Sequence, residues 1–161
     1  MNKIIRVQKK WIVFLLLPFL FACSEVRLIG AYNQHVDQSI QAISKDISTL
    51  FVQIENNIDD GKDYSYNSMR DAYIKIESEI QSCITVAGGI PKYNIITGQL
   101  NTLYNAMKLF QAQHKSGFVA PSVTDPTQIK DSFKPDKAAI NAALSAMFQL
   151  QEGLKREKAG K

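Results

Sequence analysis

From residue 34 onward, apolar side chains recur three and four positions apart, and the rhythm is interrupted three times. Val36, Ile40, Ile43, Ile47, Leu50, Phe51, Ile54 and Ile58 form the first stripe. Residues three and four apart share one face of an α-helix, so this spacing predicts an amphipathic helix over about 34–58. Asp59-Asp60-Gly61-Lys62-Asp63 follows, a turn composition that supplies a glycine for the helix stop. Tyr66, Met69, Tyr73, Ile76, Ile80, Cys83, Ile84 and Ala87 carry a second stripe, ended by Gly88-Gly89 with Pro91 just beyond. Ile96, Leu100, Leu103, Met107 and Phe110 make a third, which loses its pattern around His114-Lys115-Ser116-Gly117.

Residues 117–134 hold Pro121 and Pro126 and sustain no period, so they predict a long connection, with Thr124 or Asp125 before Pro126 able to start one helical turn. Pro135 is expected to open the fourth helix, with Ile140, Leu144, Met147 and Leu154 on one side and Ala138, Ala139, Ala142, Ala143 and Ala146 widening its small or apolar surface. The charged residues 156–161 read as a frayed tail. No strand-like alternation interrupts these segments. The expected fold is all-α: an antiparallel up-down four-helix bundle over 34–155, with a long connection between helices three and four and helices roughly 30 Å long.

The first two dozen residues follow a different pattern. Lys3, Arg6, Lys9 and Lys10 precede an apolar run from Trp11 to Ala22. That run is short of the ~20 residues a spanning helix needs, and Pro18 interrupts it, so residues 1–22 read as a secretory signal peptide. The run ends in Leu20-Phe21-Ala22-Cys23, which resembles the lipobox of bacterial lipoproteins: an aliphatic residue, a variable one, a small one and then cysteine. The resemblance covers the leader alone, and Phe21 is bulkier than the family's usual residue there. It implies that the Cys23 thiol is alkylated by a diacylglyceryl group, that cleavage follows Ala22, and that residues 23–33 tether the bundle to a membrane through lipid such as palmitate. Ser24 after the cysteine, in place of Asp, resembles the class sorted to the periplasmic face of the outer membrane in Gram-negative cells.

The leader also changes the meaning of the charge. The net +4 comes entirely from it: 19 Lys and Arg, less the four of the leader, leave 15 against 15 Asp and Glu. A formally neutral mature chain lacks the basic stripe that nucleic-acid binding requires. With Cys23 acylated, Cys83 is the remaining thiol, so no intramolecular disulfide can form, and its place on the second stripe predicts a buried, inert side chain.

Catalytic chemistry finds little purchase. No Glu is followed by His three residues later, as a di-iron bundle would require, and no Cys-x-x-Cys-His or phosphate-binding glycine loop is present. His35 and His114 are expected at opposite poles as solvated helix-end residues, so no cofactor, metal or enzymatic activity is expected. Two features point to binding. Phe118, Val119, Val123, Ile129 and Phe133 lie in the long connection, where they either cap the open end of the bundle or dock a partner. The ladder Ala138, Ala142 and Ala146 serves either close packing within the bundle or a groove for a partner helix or homodimer seam. The expected function is a membrane-anchored protein-interaction module of the cell envelope. The alternatives are a carrier of a small apolar ligand, or an exclusion or immunity lipoprotein of a plasmid or phage.

Overall fold

The computed structural model describes residues 30–160; the leader, Cys23 and Ser24 lie outside the described residues. Four helices follow in order: α1 Gln34–Asp59, α2 Tyr66–Gly88, α3 Asn94–Ser116 and α4 Pro126–Ala159. Each packs on its neighbours in sequence and α4 closes on α1, while across the diagonal the helices meet only through side chains such as Phe51 of α1 and Phe110 of α3. The result is an up-down-up-down four-helix bundle.

Each stripe finds its place because a helix buries one face and the bundle supplies a common interior. Ile40, Ile43, Ile47, Leu50 and Ile54 of α1, Ile80 of α2, Ile96, Leu100, Leu103 and Phe110 of α3 and Ile140 of α4 are fully buried. Local signals set the ends. Asn33 Oδ1 accepts the backbone N–H groups of His35 and Val36 at 3.0 and 3.1 Å, satisfying donors that α1 leaves without partners. Gly117, at φ 88°, ends α3 in the left-handed region that glycine adopts without steric cost. Ion pairs lock the register of neighbouring helices: Lys75 to Asp46 at 2.9 Å, Lys108 to Glu77 at 2.9 Å, and Lys137 to Glu55 at 2.5 Å. Exposed pairs of this kind contribute at most about 1 kcal/mol each, so burial dominates stability.

Helix α4 departs from expectation at both ends. It starts at Pro126, with Asp125 accepting the Thr127 N–H at 2.9 Å, and continues without a break past Pro135. Proline inside a helix costs about 3 kcal/mol because one hydrogen bond is lost and the ring crowds the preceding turn. Here Pro135 faces solvent, and Ile129 and Phe133 before it and Ile140 after it are anchored in the core, which offsets that cost. The long connection therefore spans only 117–125. At the other end, residues expected to fray are helical through Ala159: Leu154 is buried, Lys158 Nζ lies 5.4 Å from the Tyr32 ring centroid, and Arg156 and Lys158 suit the negative end of the helix dipole.

Residues 30–33, expected to be tether, are instead docked on the bundle. Gly30 N–H donates to the Lys92 carbonyl at 3.0 Å, the Tyr93 hydroxyl donates to the Ala31 carbonyl at 2.7 Å, and the Tyr32 hydroxyl donates to Asp37 at 2.9 Å.

Candidate functional site

The connection between α3 and α4 is built over an aromatic cluster. Phe110 lies at its centre, with ring centroids 5.1 Å from Phe51, 5.6 Å from Phe118, 5.9 Å from Phe133 and 6.2 Å from Tyr73. Phe118, Ile129 and Phe133 are thereby core residues, exposed by only 9, 4 and 1 %. Their side chains pack inward and close this end of the bundle. Phe118 holds φ 39°, an unusual conformation for a bulky residue, with its ring stacked 4.3 Å from His114 and tilted 37° against Phe133 at 4.5 Å. Val119 and Val123 are half-buried and line a surface cleft of about 460 Å³, together with Lys62, Tyr64, Tyr66 and Lys115.

His114 forms part of that cleft's wall, and the expectation of a solvated helix-end residue is wrong for it. Its exposure is 2 %. Nε2 lies 2.6 Å from the Tyr64 carbonyl, which can only accept, so Nε2 carries the proton and Nδ1 accepts from the Tyr73 hydroxyl at 2.8 Å. Both ring nitrogens are satisfied by the neutral imidazole. Burial pushes the His114 pKa below its usual 6.5, against smaller opposing effects of the Tyr64 carbonyl and Asp63. Burial likewise raises the Tyr73 hydroxyl, keeping it a donor. His35, by contrast, is exposed at the other pole, as expected.

The sign of the resulting linkage is definite. Because the folded state holds His114 at a lower pKa than the unfolded chain does, the unfolded state gains a proton first as pH falls. Stability is therefore full above about pH 6.5 and declines below it, by up to ~1.4 kcal/mol for each unit of depression. Urea midpoints measured from pH 7.5 to 5 should fall for the native chain and fall less for His114→Gln; identical slopes would show that His114 does not carry the effect.

The second region is the junction of α4 with α1. Ala138, Ala142 and Ala146 are all exposed, and of the neighbouring alanines only Ala143 packs against the core. The ladder does not serve close packing within the bundle. It lies instead on the open side of α4, beside a groove between α4 and α1. One stretch of about 380 Å³ is bounded by Glu55, Lys137, Ala138 and Asn141. A further stretch of about 660 Å³ continues past Asn141 along Ser44, Ser145, Phe148 and Gly153. Both are open surface depressions lined by mixed polar and apolar groups.

Besides Asp37, which is buried beside Val36 and takes hydrogen bonds from Tyr32 and Gln41, three buried polar residues do not follow from the apolar pattern: Gln111, His114 and Gln151. Each continues its helix's three-and-four rhythm, His114 four residues after Phe110, Gln111 four after Met107, and Gln151 between Met147 and Leu154. Gln111 donates to the Tyr66 hydroxyl at 3.3 Å, whereas both amide atoms of Gln151 are buried with no partner among the described residues. An unpaired amide costs roughly 1–3 kcal/mol. Cys83 is buried as expected, and burial pushes its thiol up to about 11, so it remains protonated. Among the described residues, no three or more His, Cys, Asp or Glu side chains gather where they could hold a metal ion, and no helix is long and apolar enough to cross a membrane. No family model, curated protein or solved structure matches the chain.

Proposed function

We propose that this chain is a lipid-anchored, non-catalytic interaction module of the bacterial cell envelope, held by acyl chains on Cys23 and engaging another envelope protein along the open side of α4. The observation that carries the reading is Leu20-Phe21-Ala22-Cys23, a lipobox-like run set shortly ahead of a folded bundle. The inward stripes are consumed by mutual packing, which leaves outward surfaces for recognition. Among these the Ala138, Ala142 and Ala146 face is distinctive: small side chains on a continuous helix let a partner's backbone approach closely, and the adjoining groove supplies both apolar contact at Phe148 and polar groups at Ser44, Asn141 and Ser145. In Gram-negative cells the expected location is the periplasmic face of the outer membrane.

Photo-crosslinking residues placed at Ala142 and Ala146, compared with Ser78 on the exposed side of α2, test the partner surface in living cells. The expected result is one discrete adduct from the α4 positions, several times stronger than from Ser78. The same diffuse pattern from all three positions would overturn it.

A further inference from the structure

We infer that the pole of the bundle formed by the start of α1, the α2–α3 turn and the end of α4 rests on an anionic lipid surface, so that the molecule stands on the membrane with its opposite pole outward. The inference rests on acylation of Cys23 and adds an orientation to it.

Three observations carry it. The chain is fixed to this pole as far back as Gly30. Besides the hydrogen bonds to Lys92 and from Tyr93, a Cβ on Gly30 would come within 2.6 Å of the Pro91 carbonyl and 2.6 Å of the Tyr93 ring, so the backbone lies directly against the turn where only glycine fits. Tyr93 itself is 1 % exposed and cannot yield. Next, the reach from Cys23 to Gly30 is limited. Cys23 precedes Gly30 by seven residues, which even fully extended span about 25 Å, whereas α1, at 26 residues and ~1.5 Å each, is about 39 Å long. The tethered pole must stay near the bilayer, while the far pole can meet it only if the bundle lies on its side.

Charge decides between standing and lying. Among the described residues, the exposed cations of the tethered pole are Lys92, Lys155, Arg156 and Lys158, set against Glu157 and Glu152, the latter paired with Lys155 at 3.6 Å. The remaining acid there, Asp37, is buried and takes hydrogen bonds from Tyr32 and Gln41. Exposed Ile95, at 47 %, adds an apolar contact suited to the headgroup boundary. The opposite pole carries Asp59, Asp60, Asp63, Asp125 and Asp131 against Lys62, Lys115 and Lys130, with Lys62 paired to Asp60 and Lys130 to Asp59, so its balance is negative. Anionic headgroups attract the first end and repel the second, and both effects favour the upright arrangement.

The test uses the full acylated protein in vesicles of phosphatidylethanolamine and phosphatidylglycerol that contain a lipid with a quencher on its headgroup. A fluorophore is placed at Asn94→Cys or Asn67→Cys in a Cys83→Ala background; both asparagines are exposed, at the tethered and far poles respectively, and circular dichroism confirms folding of each variant. Quenching at position 94 should exceed that at 67 several-fold. Equal quenching in protein that floats with the vesicles would overturn the upright orientation while leaving the anchor intact. Protein that does not float with them would overturn acylation and the orientation together.

Discussion

Replacing Phe110 by alanine should lower the free energy of unfolding by about 4 kcal/mol, a large fraction of the 5–15 kcal/mol that holds a typical domain together. The ring is fully buried and meets side chains from every other part of the bundle: Phe51 of α1, Tyr73 of α2, Phe133 of α4 and Phe118 of the connection. Truncation loses the transfer energy of a large apolar group and leaves a cavity between rigid rings that cannot collapse to fill it. Edge-to-face contacts, such as the 85° approach to Phe51, add about 0.5–1.5 kcal/mol beyond area alone. Phe110→Leu should cost markedly less, because leucine fills much of the same volume. Urea unfolding followed by far-ultraviolet circular dichroism measures both. A loss below about 1 kcal/mol for the alanine variant would show that the cluster does not organise this end of the bundle.

The pattern of apolar positions made the bundle legible where one rule acted alone. Helices α1, α2 and α3 lie close to where their stripes place them, because spacing and glycine-rich stops agree there. The beginning of α4 was not legible because two rules conflicted. Pro126 and Pro135 each suit a first helical turn, and the choice depends on whether burial of Ile129 and Phe133 outweighs a proline in the helix interior, a tertiary quantity. His114 was misplaced by its chemistry: a polar residue at a helix end suggests solvent, whereas its position four residues after Phe110 continues the buried stripe. Tyr93, at the cap of α3, stands three residues before Ile96 and extends that stripe one step beyond the helix, where Gly30 and Ala31 dock against it. The alanines of α4 could pack inward or face outward on spacing alone; the large residues one step around the helix took the interior.

Cys23→Ala should have the largest effect on where the protein resides. Each acyl chain contributes about 0.8 kcal/mol per buried CH2, on the order of 10 kcal/mol for a palmitoyl chain, and two or three chains hold a protein on a membrane without any spanning helix. Without the thiol there is no site for the diacylglyceryl group, so the variant should leave the membrane fraction and lose incorporation of labelled palmitate. Folding should be unaffected, because Cys23 lies seven positions before Gly30, the first described residue, and outside the core of the bundle. A circular dichroism spectrum and urea midpoint unchanged from the native chain would separate loss of the anchor from loss of the bundle. Fractionation and labelling indistinguishable from the native protein would remove the lipid from the proposed function.

The most direct measurement is mass spectrometry of the amino-terminal peptide of the protein isolated from its native membrane. The expected peptide begins at Cys23 and carries the added mass of a diacylglyceryl group, with or without a further amide-linked acyl chain. A mature chain that begins at any other residue, or that begins at Cys23 with an unmodified thiol, would contradict the lipid anchor on which the proposed function is built.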